Sequence, residues 1–240
     1  MLKLVYASIC ALLLMQVQTK ALAADSSCYE IVQTHHSFGR VGICFDANSL
    51  RMDLIGSQIS IFADAPDWKV HVFNLGTKKQ SSKAFAEWCK TSLETYAPWT
   101  EVKTPEGKNL QKTSITFDGF KALKLTCSDS IDTVDEKNDG ISWSMKRKSV
   151  RAIVGYVFLD GIAVDSHIAK IVAAIYCLSW KDRLPLEYYR DYGGRTLLRW
   201  SLNTNRIQKI RFDRNGFNKP TGFRIVPMRE VTQSKFEYFN

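Results

Sequence analysis

Leu50-Arg51-Met52-Asp53-Leu54 decides the fold class. Apolar and charged residues alternate with period two, so an extended segment can bury one face and solvate the other. Ile59 and Ile61 repeat the pattern, and Trp68, Val70 and Val72 repeat it again. Ala65-Pro66-Asp67 breaks the run before Trp68, and Gly76-Thr77 ends it after Leu75, each with turn-favouring residues. The first half of the chain therefore reads as strands.

A helix is expected next. Ser81 or Ser82 can cap it, and Phe85, Trp88, Cys89, Ser92 and Leu93 fall at helical spacing. Asp118-Gly119 then separates the alternating runs 113–117 and 120–123. An Asp-Gly pair supplies the positive φ angles of a two-residue hairpin turn. Residues 128–140 read as a polar, acidic loop. A calcium loop starting at Asp135 would place Lys137 and Lys146 at ligand positions, which excludes an EF-hand. Ile141, Trp143 and Met145 alternate before Lys146-Arg147-Lys148, and an apolar strand runs from Val150 to Leu159. A second helix starts at a cap on Asp165 or Ser166 and buries Ile168, Ile171, Val172, Ile175 and Tyr176.

The last quarter returns to strands, over about 196–202, 206–213 and 222–228, with Asn203-Thr204-Asn205 as the turn between the first two. Alternation sets Arg195 and Arg199 against Leu198, Trp200 and Leu202, and Lys209 and Arg211 against Ile210 and Phe212. Those four basic residues are expected to line one side of a sheet that is apolar on the other.

The N-terminus carries an export signature. Met1 and Lys3 precede an apolar run from Leu4 to Val17, and Ala21-Leu22-Ala23 forms a small-x-small cleavage site. Gln16, Gln18 and Lys20 interrupt the run short of the roughly 20 apolar residues of a membrane span. Asp25 stands where a lipid-attachment site before Cys28 would need an aliphatic residue. The expectation is a signal peptide over 1–23 and one exported domain over 24–240, periplasmic or extracellular and soluble. A single domain of that length is ordinary and can build its own core.

The formal charge is +9. Residues 181–240 hold 13 basic and 6 acidic groups, whereas residues 25–180 are balanced at 18 of each. Such an excess attracts anions. Export argues against nucleic acid, so an anionic membrane surface is the expected partner of Arg195, Arg199, Lys209 and Arg211. Five cysteines follow the leader: Cys28, Cys44, Cys89, Cys127 and Cys177. Cys28 and Cys44 are equidistant from His36, at the centre of a turn-like stretch, so a hairpin would set them opposite each other as a disulfide.

No catalytic signature is present. Gly-x-Ser-x-Gly is missing, the four histidines lack partners in sequence, and the carboxylates are scattered. Neither a zinc pattern nor a phosphate-cradling glycine loop occurs, so no metal and no cofactor is expected. Binding remains. A curled sheet can shield an apolar ligand from water, and Trp68, Phe73, Trp143, Met145, Tyr156 and Phe158 are bulky strand residues that could line it.

The stretch from Asp53-Leu54-Ile55 through Ile59-Ser60-Ile61-Phe62-Ala63-Asp64-Ala65-Pro66-Asp67-Trp68-Lys69-Val70 resembles the front sheet of the periplasmic lipoprotein-carrier (Lol-type) superfamily. Val72-Phe73-Asn74 and the helix after Ser82 fit its order, as does Leu184-Pro185-Leu186. Phe217-Asn218-Lys219-Pro220-Thr221-Gly222-Phe223 resembles the closing phrase of related secreted proteins. The resemblance spans roughly residues 48–230. It implies an α+β fold: an incomplete antiparallel β-barrel, or curled sheet, with two or three helices packed across its mouth. It also implies carriage of a lipid or lipidated protein. The rivals are a structural or interaction module without a ligand cavity, and a hydrolase with an unrecognised site.

Overall fold

The structure, a computed structural model, describes residues 28–93, 110–138, 143–178, 182–191, 199–211 and 214–232. The leader, Arg195 and Leu198 lie outside the described residues. The strands are β1 (Cys28–His35), β2 (Gly39–Phe45), β3 (Ser49–Leu54), β4 (Ile59–Asp64), β5 (Val70–Asn74), β6 (Lys79–Lys83), β7 (Gln111–Phe117), β8 (Phe120–Asn138), β9 (Trp143–Leu159), β10 (Pro185–Asp191), β11 (Arg199–Ile210) and β12 (Arg224–Ile225). Helix α1 spans Phe85–Thr91, α2 Ser166–Ile175 and α3 Met228–Thr232.

Among the described residues all twelve strands join one sheet in the order β12-β6-β5-β4-β3-β2-β1-β11-β10-β9-β8-β7. The sheet is curled but not closed, and the fold is α+β. It is mixed rather than purely antiparallel, because β12 pairs with β6 in parallel. Alternation builds the core as expected. Leu50, Met52 and Leu54 register against Val41, Ile43 and Phe45 on one side and Ile59, Ile61 and Ala63 on the other, and all nine are buried. The helices lie on this face.

The Asp118-Gly119 hairpin forms as the sequence predicts, with Phe117 paired to Phe120 and φ values of 48° and 83° at the two turn residues. The cap of α2 is Asp165, whose carboxylate accepts from the His167 amide at 2.7 Å. The predicted buried face of α2 is buried throughout.

Other expectations need correction. Ser81 and Ser82 do not cap α1. They pair with Val72 and His71 inside β6, and Ala84 occupies the cap position without a side-chain hydrogen bond. Residues 128–138 are not a loop. They continue β8, pairing antiparallel with residues 143–153 of β9, with position 135 in register with position 146. Asn203-Thr204-Asn205 is not a turn. It lies within β11, where the partner of Val32 is Arg206 and that of Gln33 is Thr204, leaving Asn205 as the extra residue of a bulge. Burial of Thr204 holds the strand straight through: its hydroxyl donates to the Leu186 carbonyl at 2.5 Å. The last predicted strand shrinks to Arg224–Ile225, and Met228–Thr232 is helical.

The C-terminal segment wraps the sheet edge. On the face away from α1 and α2, the Gly216 carbonyl accepts from Arg51 at 2.7 Å, Lys219 pairs with Asp64, and Phe223 packs edge-on against Phe73. The segment then adds β12 beside β6. It ends in α3, where the Asn74 amide donates to the Val231 carbonyl at 2.8 Å.

Candidate functional site

The helix-bearing face is the candidate site. Its floor is apolar across β1 to β5, and helix α2 lies over it. The ring of Tyr176, just past α2, stacks on His35 of β1 at 5.0 Å. His167, at its start, stacks on Trp68 at 5.2 Å with the planes 4° apart. Helix α1 docks against α2 through Trp88, whose indole Nε1–H donates to the Ile171 carbonyl at 3.3 Å. Trp88 is the fully buried residue of α1. Lys83, also buried, secures the C-terminal end of α1 by donating to Thr91 Oγ1 at 2.7 Å and to the Ser92 carbonyl at 2.9 Å. A cation at a helix C-terminus meets the negative end of its dipole.

A polar network crosses this interior. The Tyr176 hydroxyl donates to Gln33 Oε1 at 2.7 Å. Gln33 Nε2 donates in turn to the Pro185 carbonyl at 2.8 Å and to Thr204 Oγ1 at 3.0 Å. Burial raises the Tyr176 pKa, which keeps its hydroxyl a donor. His35 sits between Phe38 and Tyr176 and accepts from the Ser37 amide at its Nδ1. Burial, and then the neighbouring His36, push His35 down to about 3, so its ring is neutral at physiological pH.

The six residues expected to line an apolar cavity do not share one face. Tyr156 and Phe158 lie on the helix-bearing face, stacked on each other at 6.0 Å, and Tyr156 meets Tyr188 at 4.9 Å. Trp68 joins them there from the bend before β5, where its φ is 52°. Phe73 lies on the opposite face, between Phe62 and Phe223. Positions 143 and 145 belong to the same unbroken β8–β9 ladder as 156 and 158, and their side chains lie outside the described ones. The four whose side chains are described are all at most 4% exposed.

The basic residues are not described as one group. The bulge at Asn205 shifts the alternation of β11 by one residue, and a second irregularity between Leu202 and Trp200, opposite Tyr188 and Tyr189, shifts it again. Lys209 and Arg211 are exposed. Several C-terminal bases are tied to acids from earlier in the chain: Arg183 to Asp160, Arg206 to Glu30 and Lys219 to Asp64. The charge excess along the sequence is therefore diluted in space.

The Cys28–Cys44 expectation is met in part. The hairpin forms, but its register is centred on Ser37, so Cys44 faces Glu30 and Cys28 is the diagonal neighbour. The two thiols are 3.5 Å apart and unbonded.

Sequence reasoning reads Trp88 only as part of an aromatic stripe and misses Gln33, Thr204 and Lys83. A Gln among strand residues or a Lys before a helix carries no local sign that it is buried; the partners lie far along the chain. Strand β10 is missed as well, although Leu184, Leu186 and Tyr188 alternate and are all buried. Among the described residues, no group of three or more His, Cys, Asp or Glu could hold a metal ion. None of their helices is long and apolar enough to cross a membrane.

No family model matches the chain, and no curated protein matches it. Among solved structures it is similar to an uncharacterized conserved protein from Thermus thermophilus, at 10% identity and a TM-score of 0.38, over 85% of this chain and 91% of that one.

Proposed function

We propose that the protein binds an apolar ligand, a lipid or the acyl group of a lipidated protein, between the curled sheet and helices α1 and α2, and carries it after export. The observation behind this reading is how α1 is held. Within the helix one side chain, Trp88, is fully buried over an apolar interior, while Lys83 ties its C-terminal end and Phe85 meets His167. Lifting α1 would uncover that interior without breaking a single strand pairing. The resemblance of residues 53–70 to lipoprotein carriers supports the same reading. Lys209 and Arg211, both exposed, are the described residues best placed to meet an anionic membrane, alongside Arg195 and Arg199.

A second reading is an interaction module whose interior is filled by its own side chains. The stacking of Tyr156 on Phe158 and Tyr188 favours it. Organic extraction and mass spectrometry of the purified protein separate the two, together with uptake of a fluorescent fatty acid. A carrier yields bound lipid or takes up the probe, and Trp88→Ala alters that uptake. The absence of both bound lipid and probe uptake sinks the carrier reading. Binding to anionic vesicles that survives the change of Arg195, Arg199, Lys209 and Arg211 to Gln removes the membrane role.

A further inference from the structure

Cys28 and Cys44 occupy the sheet face away from α1 and α2, at the open end of the β1–β2 hairpin. Their sulfurs are in van der Waals contact at 3.5 Å. A bond requires about 2.05 Å, so about 1.5 Å of approach remains. Cys28 is the first residue of β1 and lies past the ladder on the β2 side, where the first pair is Tyr29 with Phe45, while on the other side it pairs with Ile210 of β11. A small movement of that strand end, with rotation of both side chains, supplies the approach.

We propose that Cys28 and Cys44 are an oxidation site and close to an intramolecular disulfide that staples the β1–β2 hairpin at its open end. In the step, each thiol gives up its proton and the two sulfurs together give up two electrons. The acceptor is a small-molecule disulfide such as glutathione disulfide, whose S–S bond breaks to release two thiols. The proposal stands apart from the ligand reading and needs only an oxidising medium.

The surroundings set when the bond forms. Burial pushes the Cys44 thiol up to about 12, with the neighbouring Cys28 and Glu30 acting in the same direction. Burial also raises Cys28, and Asp46 adds to that. The thiolate is the attacking species, so the folded dithiol reacts slowly near neutral pH. The bond closes while the chain folds, before the sulfurs are enclosed. Once closed, the bond has a buried sulfur at Cys28 and a partly exposed one at Cys44.

The test uses the full chain, reduced and unfolded, then refolded in a mixture of glutathione and glutathione disulfide. Alkylation under denaturing, non-reducing conditions follows, and then trypsin. Arg40 lies between the two cysteines, and the tryptic peptide Val41–Arg51 contains Cys44 alone. The expected product is that peptide joined to the one ending at Arg40, two hydrogens lighter than the sum of the two. Cys28→Ser should leave Cys44 alkylated, and Cys44→Ser should leave Cys28 alkylated. The oxidised protein should melt roughly 5–10 °C above the reduced one. Recovery of both cysteines alkylated, as glutathione adducts, or joined to other cysteines overturns the proposal.

Discussion

The carboxylate of Asp118 accepts a hydrogen bond from the amide of Ile207 at 2.7 Å. Asp118 turns the hairpin between the outermost strands β7 and β8, while Ile207 lies on β11, near the middle of the sheet. This bond, with the edge-on contact of Tyr29 and Phe120 at 6.2 Å, is how the far edge curls back over the centre. The bulge at Asn205 sits just before it, where β11 has run past β10, whose pairing ends at Leu202.

Asp118→Ala should therefore destabilise the fold by about 1–3 kcal/mol through the lost charged acceptor, with a further cost of about 1 kcal/mol for Ala at φ 48°. Asp118→Asn keeps an acceptor and tolerates that φ, so it should cost less. Urea denaturation measures both. Equal losses would mean that the turn, not the latch, matters.

The Tyr176–Gln33 pair predicts an asymmetry. Tyr176→Phe withdraws one donor and should cost about 1–2 kcal/mol. Gln33→Leu strips partners from Tyr176, the Pro185 carbonyl and Thr204 together, so it should cost more. The double variant should lose less than the sum, because the two residues share one network. Additive losses in a thermodynamic cycle would contradict this.

His35 gives a pH dependence with a definite sign. Its pKa is about 3 when folded, against an ordinary value of 6.5. Between those values the unfolded chain binds a proton that the folded protein does not. The contribution is fully present above pH 6.5 and is lost as pH falls toward 3, at up to about 1.4 kcal/mol per pH unit. His71 is lowered too, chiefly by burial, and acts in the same direction. His35→Phe keeps a ring between Phe38 and Tyr176 and should flatten the pH profile of stability without abolishing it. An unchanged slope would falsify the assignment to His35.

Gly155 is opposite Tyr189 in the β9–β10 ladder, and a Cβ built there would meet the Tyr189 ring at 2.1 Å. Gly155→Ala should displace a nearly buried ring and cost about 1–3 kcal/mol. Pairing it with Tyr189→Leu should recover part of that loss. Melting curves of the two single variants and the double variant would show whether the sites are coupled.

Local chemistry is legible in the sequence. Asp118-Gly119, the Asp165 cap and the alternation around Met52 each declare themselves within a few residues, and each is found where expected. What fails needs knowledge of a distant partner. Asn203-Thr204-Asn205 has turn composition, yet pairing with β1 makes it a bulge. Residues 128–138 look like a solvated loop until the basic strand β9 is laid beside them. Lys146-Arg147-Lys148 looks like a break, yet residues 143–159 form one continuous strand. The cysteine hairpin is two residues away from its expected register, which composition alone does not specify.

The position of β1 has a consequence for assembly. It bonds β2, made next, on one side, and β11, made near the end, on the other, with Cys28 paired to Ile210. That single ladder joins β1–β6 and β12 to the half built from β7–β11. A chain made from its N-terminus can raise the first hairpins early but cannot unite the halves until residue 210 has been added. Pairings this far apart in sequence close slowly. Until then β1 offers a bare edge to any neighbouring strand, and the last stretch of the chain governs how long that exposure lasts.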